Sequence, residues 1–152
     1  MECAGYEAIA PLAERWTKVG DAVRKKTGSL IDGYVFLGAQ AEPDWIAIAK
    51  DRDVLRVLQY DGGERALRGE DLAFVEWLRH YEGLIEISRV IREGTKIRFV
   101  GGPLADFDGQ VLRVNKNRRQ VLLSIGSGEG LLRKMWCSIE YIEEAASLEG
   151  QE

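Results

Sequence analysis

The residues in this chain best suited to chemistry are cations gathered in two places. Arg113, Lys116, Arg118 and Arg119 lie within LRVNKNRRQVLL, where a polar turn without an acid interrupts two apolar runs. Arg15, Lys18, Arg24, Lys25 and Lys26 lie within RWTKVGDAVRKKT, with Asp21 the one acid at its turn. Arginine forks onto phosphate oxygens and stacks on unpaired bases, so such clusters suit a binding surface. Catalysis would need a nucleophile, a base or a metal ligand beside these turns, and none is there. His80 is the only histidine, so a histidine-based triad would rest on it alone. Beside Arg79 at a helix end, it reads instead as a surface residue that complements the helix dipole. Asp51 and Asp53 flank Arg52 after a helix, and a loop accounts for them. GSGEG at 126–130 has no Lys-Ser/Thr after it and opens no helix, so it reads as a hairpin turn and not a phosphate loop. Cys3 and Cys137 stand far apart with no CxxC spacing or histidine partner. Cys137, inside the apolar run MWCSI, reads as a buried thiol. No enzyme activity, metal or cofactor is expected.

The bulk composition limits where binding surfaces can lie. The 152 residues are 45% hydrophobic and 30% charged, with a formal charge of −4. That balance argues against a protein coated in basic groups, so any nucleic-acid contact must come from local patches. No run approaches the ~20 apolar residues of a membrane span. The start, MECAGYEAIAPLAERW, lacks the basic-then-apolar pattern of a signal peptide. A cytoplasmic monomer without membrane contact is expected.

The elements that position the cations follow from periodicity. Residues 6–29 read as a β-hairpin with its tip at Gly20-Asp21, and a β-prone strand is expected from Leu30 to Gly38. Gly33 inside that strand suggests a bulge or a close backbone approach. Pro43 opens a short helix with Trp45, Ile48 and Ala49 on one face. VLRVLQY reads as a strand and DGGER as a turn. GEDLAFVEWLRHYEG is the clearest helix, with Glu70 and Asp71 in its first turn and Arg79 and His80 in its last. Leu72, Val75, Leu78 and Tyr81 give it an apolar stripe, and Gly83 is placed to end it. From Glu93 the period becomes two: TKIRFV, GQVLRV, QVLLSI and LRKMWCSI read as four strands of a small barrel. Between the halves, EGLIEISRVIRE carries apolar residues that should pack, and the tail EEAASLEGQE is acidic.

KIRFVGGPLADFDGQVLRV resembles the KOW motif of NusG-type transcription elongation factors, whose GPFADFxG signature GPLADFDG nearly reproduces. Gly109 stands at the motif's key glycine, where the chain turns tightly between packed strands and a Cβ would clash. LIDGYVFL resembles the family's FPGYVFV strand, and the order strand, Trp-containing helix, strand, GEDLAFVEWL helix and KOW segment is that of an NGN domain followed by KOW. The details look most like the specialised LoaP and UpxY paralogues. The resemblance covers the chain to about Glu144. It implies an α+β fold: an NGN-like antiparallel sheet with helices over 1–83, a linker over 84–92, an SH3-like KOW β-barrel over 93–144, and an acidic tail over 145–152.

The resemblance also implies partners and sites. The NGN half would lay Leu30, Ile31, Tyr34 and Phe36, with Trp45 in support, against the clamp helices of the largest RNA polymerase subunit. Alternate members of that strand fill the domain core instead: Val35 and Leu37 are expected there, Phe36 reads as core as well, and Tyr34 suits either place. The hairpin cations would face polymerase or DNA, or else form a solvated face that keeps an exposed hairpin soluble. The turn carrying Arg113, Lys116, Arg118 and Arg119 would contact RNA, a nascent leader hairpin in the LoaP group, or else is an ordinary polar turn. Phe107 reads as core, and Leu104 as an exposed contact for a partner. The implied function is operon-specific antitermination. Its rivals are a general elongation factor coupled to a ribosomal protein or termination factor, and a KOW module that binds RNA without polymerase. Three departures stand out: the family's first strand and helix are missing, Asp32 replaces a proline, and no aromatic follows Ile125 where general members dock partners.

Overall fold

A computed structural model describes residues 6–142. Cys3 and the acidic tail 145–152 lie outside the described residues. The described chain is a mixed α+β fold with three sheets and two α-helices, and one sheet curls into a half-barrel. No helix among the described residues is long and apolar enough to cross a membrane.

The expected hairpin is present. β2 (Leu12–Val19) and β3 (Ala22–Ser29) pair antiparallel through eight positions, from Leu12↔Ser29 to Val19↔Ala22. Gly20 takes φ +63 at the first position of the two-residue loop and Asp21 stays at negative φ. This is the type II′ pattern, whose twist matches that of the strands. The strand expected over Leu30–Gly38 is shorter: β4 is Phe36–Gly38, paired antiparallel with β1 (Glu7–Ile9). The cause is a β-turn at Ile31–Tyr34, closed by the Tyr34 amide donating to the Ile31 carbonyl at 3.3 Å, with Gly33 at φ +82. Glycine at this third turn position is the type II signature, and proline or any residue of ordinary φ fits at the second, here Asp32. Gly33 therefore serves a turn and not a bulge.

VLRVLQY is not a strand. Residues 54–60 carry no regular structure, and Leu55 is 98% exposed. Its alternation suits a strand, yet no sheet edge pairs with it, and an unpaired strand has nothing to hold it. α1 (Trp45–Ala49) is capped by Asp44, whose carboxylate accepts the Ala47 amide at 3.1 Å, so Pro43 sits one residue before the cap. Ile48 alone of the expected face is buried; Trp45 is half-buried and Ala49 exposed.

α2 (Gly69–His80) buries Asp71, Phe74 and Leu78, while Leu72 is 42% exposed. Val75, Leu78 and Tyr81 of the expected stripe pack on the core, and Leu72 alone of the four turns outward, with Phe74 filling the core beside them. The Glu82 amide bonds the Arg79 carbonyl and the Gly83 amide bonds the Leu78 carbonyl, which makes a Schellman cap. Glu82, at φ +56, holds the left-handed position ahead of Gly83.

Residues 84–92, expected as a linker, are mostly strand. β5 (Leu84–Ile85) joins β2 in parallel, completing the sheet β3-β2-β5. β6 (Ser88–Glu93) pairs antiparallel with β7 (Lys96–Gly101) and parallel with the end of β10 (Lys134–Tyr141). β8 (Val111–Asn115) and β9 (Gln120–Ser124) complete the order β7-β6-β10-β9-β8. The four strands expected after Glu93 are thus present, joined by β6 as a fifth.

One apolar cluster runs through all of this. Ala13, Phe36, Phe74 and Leu78 from the first half pack with Val90, Leu123 and Ile139 from the second. Phe74 makes edge-on contacts with Phe36 at 6.2 Å and Phe107 at 6.3 Å, and Trp77 lies 4.6 Å from Phe107. Val35, expected in the core, is 56% exposed, because the Ile31–Tyr34 turn leaves Phe36 as the residue of this segment that faces inward.

Candidate nucleic-acid interface

Alternation sorts the hairpin cations onto two faces, since residues opposite each other across an antiparallel pair share a face. Trp16 lies opposite Lys25, and Lys18 opposite Val23. Arg15 lies opposite Lys26, and Thr17 opposite Arg24. Lys18, Arg24, Lys25 and Lys26 are exposed.

Arg15 leaves the group of ligand-binding candidates. Its guanidinium donates to the Trp136 carbonyl at 2.9 Å and to the Ser29 and Leu30 carbonyls at 2.9 and 3.1 Å. Three backbone carbonyls, two at the end of the hairpin and one in β10, occupy the fork, so this side chain joins the hairpin to β10.

The second cationic segment is the β8–β9 turn. Asn115 accepts the Arg118 amide on its side-chain oxygen at 3.1 Å, and the Arg119 amide closes onto the Lys116 carbonyl. Arg119 sits at φ +53 and its carbonyl accepts the Ile139 amide at 2.9 Å, which ties the turn to β10. Arg113, Lys116, Arg118 and Arg119 are all exposed.

The two segments meet at Trp16. The Arg119 guanidinium lies 5.3 Å from the indole centroid and the Lys25 ammonium 6.0 Å away. The ring is fixed by its Nε1–H donating to the Ile139 carbonyl at 2.7 Å, and the Trp16 amide reaches the Ser138 hydroxyl at 3.4 Å. Cations more than ninety positions apart in sequence thus share one half-buried aromatic. Glu14, on the same face, is engaged by the Ile87 amide at 3.1 Å. Sequence reasoning missed Trp16, although its place among alternating cations in RWTK was the available clue.

The residues expected to meet polymerase divide by burial. Leu30 is 4% exposed and Phe36 8%, so both are core and offer no surface. Ile31 and Tyr34 are half-buried against the core, and Trp45 is half-buried with its Nε1–H on Glu42 at 2.6 Å and Arg65 5.4 Å from its ring. Leu104, expected as an exposed contact, is 3% exposed. It lies in a 3-10 turn (Pro103–Asp106) whose Leu104 amide donates to Ser88 Oγ at 2.9 Å. Phe107 packs against Phe74 and Trp77, as expected of a core residue. At Gly109 a Cβ would fall on the Ser124 carbonyl oxygen and come within 2.6 Å of the Phe107 ring.

A second arrangement was not foreseen. The GSGEG segment is held against the start of α2. Glu70 accepts the Ser127 amide and hydroxyl, both at 2.9 Å, and the Glu129 amide at 3.3 Å. Asp71, 1% exposed, accepts the Leu131 and Leu132 amides at 3.0 and 3.1 Å and the Tyr60 hydroxyl at 2.7 Å. The Ser127 hydrogen bonds lower the Glu70 pKa, because they favour the ionised carboxylate. Burial, and then the bond to Asp71, raise that of Tyr60. Local sequence explains the acidic start of α2 as a dipole effect; its long-range partners are invisible to local periodicity. No protein-family model matches the chain, and no curated protein does either.

Proposed function

We propose that this chain is a NusG-type transcription factor, whose first half grips RNA polymerase and whose cationic surface holds RNA. The observation that carries the reading is the geometry of GPLADFDG. Pro103 starts a tight turn, Leu104 and Phe107 enter the core, and Gly109 passes so close to Ser124 that no side chain fits. Pro103, Leu104, Phe107 and Gly109 of the motif thus each have a physical use in this chain. The Ile31–Tyr34 turn gives further support: its second position accepts proline, which is what the family carries where Asp32 stands here.

Within the family reading, operon-specific antitermination is favoured over coupling to a ribosomal protein or termination factor. The segment that would dock such a partner is held by Glu70 and Asp71. Polymerase contact falls to the half-buried Ile31, Tyr34 and Trp45, since Leu30 and Phe36 are core. The test is retention of the full chain on purified RNA polymerase, with Tyr34→Ala as the probe variant, and a single-round transcription assay across a terminator. Retention with increased read-through supports the proposal. No retention at moderate salt refutes it.

A further inference from the structure

We infer that the surface around Trp16 holds a single strand of RNA, with an unpaired base against the indole and the flanking phosphates on the two cationic segments. This rests on the proposed function for RNA as the ligand, and departs from it in choosing an unpaired strand over a leader hairpin.

The argument begins with the indole. Trp16 is held through its ring N–H by the Ile139 carbonyl, a buried strand position, so its plane is fixed before any ligand arrives. It is only half-buried, and two exposed cations, Lys25 and Arg119, stand over its ring. Lys25 at 6.0 Å stands at the outer limit of a cation–π contact, so a base displaces it at small loss. Arg119 is anchored by its backbone on both sides, through Lys116 and Ile139, and stays to meet a phosphate or stack on the base.

The surroundings favour a polyanion. Lys18 follows on the same face of β2, and Arg118 and Lys116 follow on the turn. The acid on that face of β2, Glu14, is turned to the Ile87 amide. A chain with a formal charge of −4 has placed cations here from two separate sheets. Phosphate alone would explain the charges. It would not explain a fixed aromatic at their meeting point, because a duplex keeps its base faces stacked inside, whereas an unpaired base offers its face to an aromatic.

The experiment uses the full chain and two fluorescent RNAs of equal length and charge, an unstructured twelve-nucleotide strand and a hairpin. Anisotropy titrations at moderate salt are expected to show the single strand binding at least about fivefold tighter. Trp16→Leu should weaken it by roughly 5- to 100-fold, the loss typical of one stacked base. Lys25→Gln and Arg119→Gln, which alter exposed side chains, should each weaken it several-fold and flatten the salt dependence. Should Trp16→Leu fail to fold, tryptophan quenching by the single strand decides the matter: its loss in Trp16→Phe assigns the quenched ring to Trp16 among the four tryptophans, and quenching that persists in Trp16→Phe overturns the inference. Equal or tighter binding of the hairpin overturns the inference, as does binding unchanged by Lys25→Gln and Arg119→Gln. Retention on polymerase without single-strand binding overturns this inference alone; absence of retention overturns the proposed function.

Discussion

Replacing Asp71 with alanine should be among the most damaging single changes in this protein, although the residue contacts no proposed ligand. Its carboxylate is 1% exposed and accepts three hydrogen bonds, from the Leu131 and Leu132 amides and the Tyr60 hydroxyl. Tyr60 in turn accepts the Arg68 amide at 3.1 Å, so the network extends to the residue before α2. Each bond to a charged acceptor contributes about 1.5–3 kcal/mol net, and a buried donor left without a partner costs about 1–3 kcal/mol. The Leu132 amide has no route to water without movement of the loop, while Tyr60 can rotate outward. The sum is therefore well below three full losses, and about 4 kcal/mol is the expected destabilisation. Against a total of roughly 5–15 kcal/mol, this is a large fraction. With an m-value of about 2 kcal/mol/M, the urea midpoint should fall by about 2 M. Asp71→Asn keeps one acceptor oxygen but points N–H groups at N–H groups, so it should fall in between. Amide exchange should show Leu131 and Leu132 losing protection before the β9–β10 ladder does. A midpoint shift under about 0.5 M, with those two amides still protected, would refute the reasoning.

Three further outcomes are expected. Gly109→Ala should cost about 3 kcal/mol, at the upper end of overpacking, and thermal unfolding should show it, because Ser124 and Phe107 leave no room for a methyl group. Glu70 has its pKa lowered by Ser127, so its contribution is present above the ordinary glutamate range and is lost as pH falls through the lowered folded value. The Ser127 amide resonance should report that transition below the usual glutamate range and lose it in Glu70→Gln. Burial pushes the Cys137 thiol up to about 12, so in a Cys3→Ser background a thiol reagent at mildly alkaline pH should label the protein only after denaturation.

The hairpin and the strands after Glu93 were legible because their signals are local. Gly20-Asp21 sets the turn, alternation sets the faces, and Gly109 marks a turn beside packed strands. What failed required knowledge of neighbours. VLRVLQY alternates like a strand and finds no edge to pair with. Leu30 and Leu104 look like surface candidates until Arg15 and Ser88 draw their backbones inward, to 4% and 3% exposure. Arg15 itself reads as one cation among five, and only the fold aims it at carbonyls of Ser29, Leu30 and Trp136. The segment 84–92 was recognised as apolar enough to pack, but its parallel partners β2 and β10 stand far away in sequence. The site divides the same way: the charges were visible as runs, and their convergence on Trp16 was not.

β10 has a consequence for how the protein comes into being. It pairs with β9 and β6, and its backbone receives Arg15 and Trp16 from the hairpin. Ser29 leaves the ribosome more than a hundred residues before Tyr141 does. At roughly 5–20 residues per second, the early hairpin must wait on the order of ten seconds for the strand that anchors it. During translation the nascent chain is thus a hairpin without its anchor, and Val90 of β6 lacks the β10 strand that pairs with it. A chain that stopped short of β10 would therefore lose the strand that joins the hairpin to the curled sheet, and its unpaired β6 and β9 edges are the kind that invite aggregation.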